Sequence, residues 1–307
     1  MNYQFRMNCG LLRLYDEFDS SPDESAPGFQ YELSHPELDR LREAYRLDQV
    51  AGGGDGWSKA LNLMQWMSEG ICHRGDITKS LPEVCESLPM NASGLLKYSF
   101  GKGEDYGINC YMLSIVLTEA CLALGLPSRI VSLNPLNPFD YDNHLVSVVW
   151  CTSLSKWVMV DPSYNAYLRD ADGLILNPWE TRDRLCRHET IFCNDEMSHN
   201  GARYSSEDYL TYMAKNLLYM HSPCFNGFGS VTSGKTWLTL APKDLDVCKR
   251  ETYNLKWREE GESGNWENEE LQSRLEKRRL AGGHAYTSSV ASFAQAPSCP
   301  IDSKRID

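Results

Sequence analysis

An α+β fold, with one buried helix packed against an antiparallel sheet, is what this 307-residue sequence predicts. Three observations lead there. From Tyr111 to Leu124 nearly every side chain is apolar, so the segment reads as a helix buried on all sides, at the centre of a sizeable domain. From Asn143 to Cys151, and again from Lys156 to Asp161, side chains alternate with the two-residue period of strands. Thr152-Ser-Leu-Ser155 between them reads as the turn of a hairpin.

The other elements follow in chain order. Residues 1–30 are mixed and carry an Asp/Ser/Pro-rich loop from Asp19 to Gly28. His35 to Val50 places Leu38, Leu41 and Ala44/Tyr45 on one face, an amphipathic helix. Gly52-Gly-Gly-Asp-Gly56 breaks it, and Trp57 to Ile71 forms a second helix with Ala60, Leu63, Met64 and Met67 on one side. Residues 72–105 are loop-rich, with short helical turns around Leu81 and Leu95. Asn109 is the N-cap of the central helix, and Gly125 followed by Pro127 stops it. Ser114, Thr118 and Glu119 make one narrow polar stripe along it. Arg129 to Leu133 is a short strand and Asn134-Pro-Leu-Asn-Pro138 a loop. Glu180 to Leu185 and Ser206 to Leu218 are further helices, and Val231 to Leu240 is a late hairpin or strand. Past Lys243 the chain turns charged, then small and polar. Glu267 to Arg279 forms a helix there, and roughly the last 25 residues are expected to be loosely ordered. The expected division is an N-terminal segment 1–30, a main domain 31–245 and a polar, partly disordered tail 246–307.

Composition narrows the function. A net charge of −12 argues against nucleic acid or an anionic membrane surface as partner. No run approaches the roughly 18 apolar residues of a membrane span. Eleven cysteines are scattered without any C-x-x-C, so they read as reduced thiols in a cytoplasmic protein. The first ten residues lack the apolar stretch of a signal peptide, which makes the glycosylation sequon at Asn91-Ala-Ser93 a chance match.

Two further motifs compete for attention. Gly229-Ser-Val-Thr-Ser-Gly234-Lys235-Thr236 matches the phosphate-loop pattern letter for letter, but that pattern needs a strand before it and a helix after it. His221-Ser-Pro-Cys-Phe-Asn-Gly227 reads as loop and Trp237-Leu-Thr-Leu-Ala-Pro242 as strand, so the match reads as a Ser/Gly turn. Cys186, His188, Cys193 and His199 fit no familiar zinc spacing. No metal and no cofactor is expected.

Chemistry concentrates elsewhere. Cys110 sits in the first turn of the central helix, where unpaired N–H groups and the macrodipole favour an anion. Thiolate–imidazolium pairing at such a place lowers a cysteine pKa from about 8.5 toward roughly 3.5–7.5. A thiol nucleophile needs a base to take its proton and a third group to orient the base. His144, near the start of one strand, and Asp161, at the end of the next, supply them. A turn centred on Thr152-Ser153 sets the two directly opposite, with Cβ atoms about 4.5–5.5 Å apart, and a longer turn shifts this by a residue or two. The Cys110 N–H is one oxyanion donor, and Trp66, Tyr106 and Asn109 are the candidates for a second. Cys121, on the same helix, reads as plain packing.

The pieces Asn109-Cys110, Leu124-Gly-Leu-Pro-Ser-Arg129, Asn143-His144-Leu145 and Trp157-Val-Met-Val-Asp161-Pro-Ser163 stand in a telling order. Together they resemble the transglutaminase-like superfamily of cysteine enzymes, whose fold is papain-like. The resemblance covers residues 106–165 well and reaches more loosely upstream to Trp66; Tyr209 to Leu218 is similar to a segment of bacterial members. It implies thiol acyl chemistry on a carboxamide or peptide carbonyl, with Cys110 as nucleophile, His144 as base then acid, and Asp161 as orienter. Tyr111 follows the cysteine where many members have Trp, Glu or Gly, and Leu145-Val146 follows the histidine where many have Ala-Trp. Both departures line the substrate side. Hydrolysis of a peptide or protein substrate is expected over cross-linking, because water is the default acceptor and nothing marks an amine or calcium site. A protein-glutamine transglutaminase or deamidase, and a non-catalytic binding module on the same scaffold, are the alternatives.

Overall fold

The computed structural model describes residues 2–140, 142–230, 236–250 and 283–298. Helices α1 (Tyr3–Arg13), α2 (Pro36–Ala44), α3 (Leu47–Ala51), α4 (Gly56–Gly70), α5 (Ile77–Ser80), α6 (Pro82–Ser87) and α7 (Ala92–Ser99) precede α8 (Cys110–Ala123). After it come α9 (Pro178–Cys186), α10 (Ser206–Asn216) and α11 (Val290–Phe293). The strands are β1 (Gln30–Tyr31), β2 (Ser128–Asn134), β3 (His144–Cys151), β4 (Lys156–Val160), β5 (Leu168–Arg169), β6 (Phe192–Cys193), β7 (Ser198–His199), β8 (Ala202–Arg203), β9 (Tyr219–Pro223), β10 (Phe225–Asn226), β11 (Trp237–Leu240) and β12 (His284–Thr287). The main sheet runs β12-β11-β9-β2-β3-β4 and is antiparallel except for the β11–β12 pair. Helices packed on a mostly antiparallel sheet make this an α+β architecture.

Helix α8 is the centre of the core. It lies on β2 and β3 with α2, α4 and α7 on its other side, and every residue from Met112 to Ala123 is buried. Its start is fixed by Asn109, whose side chain accepts from the Met112 N–H at 3.0 Å. Its end is a Schellman turn. Leu126 N–H bonds Cys121 C=O and Gly125 N–H bonds Leu122 C=O, each at 2.9 Å, with Gly125 at φ +76°. Two members of the polar stripe, Thr118 and Glu119, find side-chain partners in burial, while the Ser114 hydroxyl has none among the described residues. Thr118 Oγ1 meets Ser147 Oγ at 3.1 Å, Ser147 bonds the Ser114 carbonyl, and Glu119 accepts from the Ala92 and Gly229 N–H groups at 2.8 and 2.9 Å.

Arg129, the last residue of the Leu-Gly-Leu-Pro-Ser-Arg run, is fully buried on β2 without an acidic partner within its hydrogen bonds. Aromatic faces solvate it instead: Phe29 at 3.7 Å, Trp157 at 4.6 Å and Phe293 at 5.0 Å from its guanidinium carbon. Its NH groups also donate to Tyr31 Oη and the Phe293 carbonyl.

Several expectations need correction. The segment His35 to Val50 is two helices, because Arg46 adopts the left-handed region at φ +51° and turns the chain. Residues Tyr3–Arg13 form a helix packed on α9 and α10, although their composition is mixed. The β3–β4 turn holds four residues, 152–155, so Cys151 pairs with Lys156 and Ser147 with Val160. His144 is therefore two residues out of register with the directly opposed position expected for Asp161. His221 to Pro223, read as loop, belongs to β9 inside the sheet. The loosely ordered C-terminus is also overturned for residues 283–298. There β12 extends the sheet, Phe293 is buried against Arg129, and Trp157 Nε1 donates to the Gln295 carbonyl at 3.1 Å. Small polar residues order in this stretch by zipping onto the Asp19–Ser25 loop through Ser288–Asp19, Thr287–Asp23 and Ser289–Ser21 bonds. The expected helix Glu267 to Arg279 lies outside the described residues.

Candidate active site

The sheet brings the three predicted residues together at one end of α8. Cys110 is the first residue of the helix, His144 the first of β3, and Asp161 follows the last of β4. His144 Nε2 lies 2.6 Å from Asp161 Oδ2. The Cys110 thiol lies near enough to the same imidazole to help raise its pKa, and with Nε2 taken by Asp161, Nδ1 is the nitrogen left for it. The register shift did not separate His144 from Asp161. A displacement of two residues keeps a side chain on its own face of the sheet, whereas one residue turns it over.

The pair is sealed: His144 is 1% exposed and Asp161 0%, while Cys110 is partly exposed. Burial by itself pushes the His144 pKa down, but the Asp161 charge, its hydrogen bond and the Cys110 thiol outweigh this and raise it. For Asp161 burial works upward and loses to the His144 charge and bond, the Tyr209 hydroxyl and the Ser163 N–H, so its pKa falls. Both shifts favour an imidazolium–carboxylate pair. Tyr209 Oη donates to Asp161 Oδ2 and Ser163 N–H to Oδ1, each at 2.9 Å, and the latter is the Asx turn that Asp-Pro-Ser encodes.

Around the pair stands a group of aromatic rings. Tyr164 lies 5.8 Å from His144, 5.2 Å from Tyr209 and 4.8 Å from Tyr204 between ring centres, and Tyr212 lies 5.2 Å from His144. Burial raises the phenol pKa of Tyr164, Tyr209 and Tyr212, so all three keep their protons. A two-residue hairpin, β7 to β8, crosses here with Asn200 and Gly201 at φ +49° and +78°. Its root donates from Ser198 N–H to the Tyr164 carbonyl at 2.9 Å. Its tip reaches the segment that runs beside the chain leading into α8, where Asn200 bonds both backbone groups of His73 at 2.7 and 3.0 Å. His73 in turn forms a bridge with Ile108, two residues before Cys110.

First-turn helix geometry leaves the N–H groups of Cys110 and Tyr111 without intrahelical acceptors, the arrangement an oxyanion uses. The sequence named three other oxyanion candidates. Trp66 packs between Phe100 and Tyr45 at 4.6 and 6.1 Å, Tyr106 is an exposed ring edge-on to Tyr98, and Asn109 Oδ1 caps α8. The residues of the considered zinc set have separate partners: His188 meets Arg13, His199 meets His73, and Cys186 meets Arg182. Among the described residues no three His, Cys, Asp or Glu side chains form a metal cluster. Most of the phosphate-loop match, residues 231–235, lies outside the described residues, and β11 follows it where a helix is required. Among the described residues no helix is long and apolar enough to cross a membrane, and the ten described cysteines are free thiols.

Sequence reasoning missed Tyr209, Tyr164, Tyr212, His73 and His199. For His199, Tyr209 and Tyr212 the sequence signal is aromatic enrichment in 199–212, which does not say which ring faces the histidine; Tyr164 and His73 lie outside it. Comparison with protein-family models, with curated proteins and with solved structures finds no match.

Proposed function

We propose that this protein is a cysteine-dependent acyl-transfer enzyme that hydrolyses a peptide or amide bond, on a papain-like core of transglutaminase-like type. The observation that carries the reading is the buried His144–Asp161 pair at 2.6 Å, with the helix-opening Cys110 close enough to the same ring to raise its pKa. Cys110 sulfur attacks the carbonyl carbon while its proton rests on His144. The tetrahedral oxyanion sits against the first-turn N–H groups and collapses as His144 protonates the departing amine. Water, deprotonated by the same imidazole, then cleaves the thioester. Asp161 holds the ring and compensates its charge throughout. A chain that kept this scaffold only for binding has no use for a buried charged pair beside a thiol, since desolvating such a pair is costly.

The test is iodoacetamide labelling of Cys110 across pH, read by peptide mass, in the wild type and His144→Ala. Fast labelling in the acid range where an isolated thiol is protonated, lost in the variant, is expected. Labelling no faster than that of Cys121 in both proteins rejects the reading in favour of a binding module.

A further inference from the structure

We infer that His73 is the second donor of the oxyanion hole, presenting its Nε2–H to the acyl oxygen of a substrate bound at Cys110. This rests on the acyl-enzyme reading above.

Ile108 N–H bonds the Cys72 carbonyl at 3.0 Å and Arg74 N–H bonds the Ile108 carbonyl at 2.8 Å, so His73 runs beside the chain that enters α8. Asn200 closes the remaining backbone groups of His73 from the other side. The residue is thus fixed next to the helix start that supplies the Cys110 N–H. The ring is fixed as well: His73 Nδ1 lies 2.9 Å from His199 Nε2 on the hairpin. The two nitrogens of an imidazole leave the ring in diverging directions. With Nδ1 turned to the hairpin, Nε2 turns away from it, and it is buried without a partner among the described residues. The ring lies close enough to His144 for the two charges to oppose each other.

A buried ring nitrogen without a partner, beside a reacting centre, is a polar group waiting for one. Its identity as donor or acceptor is decided by the tautomer. If His199 donates to His73 Nδ1, the proton of His73 resides on Nε2. Burial, then His144 and His199, hold the His73 pKa down to about 4, so the ring is neutral across the working range and adds no cation to compete with the His144 imidazolium. A neutral imidazole N–H polarises a carbonyl without surrendering its proton. As the S–C bond forms, the carbonyl π pair moves onto oxygen; the bond from Nε2–H strengthens there and is released when the tetrahedral species collapses.

The probe is p-nitrophenyl acetate, which acetylates a thiolate with release of p-nitrophenolate. Iodoacetamide is the control, because displacement at a saturated carbon creates no oxyanion. His73→Phe keeps a ring and removes the N–H; it is expected to slow Cys110 acetylation about 10²–10³-fold and to leave Cys110 alkylation within about twofold of the wild type. His73→Gln places an amide N–H near the Nε2 position and is expected to recover part of the rate. Acetylation of His73→Phe at the wild-type rate overturns the proposal, as does a parallel fall in alkylation, which would place His73 on the thiolate instead. In the unmodified protein, ¹⁵N–¹H imidazole spectra are expected to show His73 as the Nε2–H tautomer; the Nδ1–H tautomer overturns the proposal without recourse to a variant. A wild type that is neither acetylated nor rapidly alkylated at Cys110 fails at the acyl-enzyme reading itself.

Discussion

Cys110 and Cys121 stand on the same helix, eleven residues or about 16 Å apart, and their surroundings could hardly differ more. Cys121 is fully buried, and desolvation pushes its thiol up to about 12 despite the neighbouring Ser128 hydroxyl. Cys110 is partly exposed, lies in the first turn where the helix leaves its N–H groups free, and neighbours an imidazole whose pKa Asp161 raises. Neither helix propensity nor apolar composition separates the two. What separates them is the strand presented to each end: β3 opens with His144 beside Cys110, while β2 opens with Ser128 beside Cys121. The surroundings of each thiol are set by the sheet as much as by the helix.

The most severe way to break that contrast is Asp161→Asn. The amide fits the space, but an N–H facing His144 Nε2 forces the imidazole into the wrong tautomer and removes the charge that raises its pKa. A loss of up to about 10⁴-fold in Cys110 acetylation is expected. Iodoacetamide labelling of Cys110 should fall toward that of Cys121 in the folded protein. Near-wild-type acetylation in this variant would mean that Asp161 is a turn former and nothing more.

That contrast also marks where the sequence was legible. The period of the Tyr111–Leu124 run and the alternation of β3 and β4 are local properties, so α8, its caps and the hairpin could be read directly. The His144–Asp161 contact tolerated an incorrect turn length because the shift was even. Other features depend on contacts between distant residues. Arg129 marks the helix exit in sequence, yet its aromatic box is assembled from Phe29 and Phe293, near the two ends of the chain. Tyr209 reaches Asp161 across 48 residues, and Asn200 reaches His73 across 127. β9 looked like loop because His221-Ser-Pro carries little strand propensity; its place between β2 and β11 supplies the partners that propensity does not.

A smaller effect probes the middle of the helix. Glu119 is buried, and desolvation, only partly offset by the Ala92 and Gly229 N–H bonds, raises its pKa from 4.5 to about 7. The unfolded carboxyl ionises near its ordinary value while the folded one keeps its proton to about 7. Its contribution is therefore fully present below the unfolded pKa and is lost as pH rises through the folded one. Glu119→Gln does not titrate. The urea stability of the wild type relative to this variant should fall by about 3 kcal/mol between roughly pH 4.5 and pH 8. A flat difference would show that Glu119 is ionised throughout and that its two backbone bonds outweigh burial.

Cys121→Ala carries the smallest effect and the cleanest meaning. It deletes one sulfur from a packed interior, comparable to removing a buried methylene, and should cost about 1 kcal/mol because the surrounding helix and β2 relax only partly. The Ser128 hydroxyl keeps its bond to the Val148 carbonyl at 3.1 Å, so no polar group is stranded by the change. Acetylation of Cys110 should be unaltered, since a pure packing loss three turns away leaves the His144–Asp161 pair and the first-turn N–H groups in place. Thermal unfolding and the acetylation rate, measured on the same sample, separate the two contributions. A variant as stable as the wild type but slow in acetylation would link the two thiols through the helix, and the division between an inert and a reactive end would no longer hold.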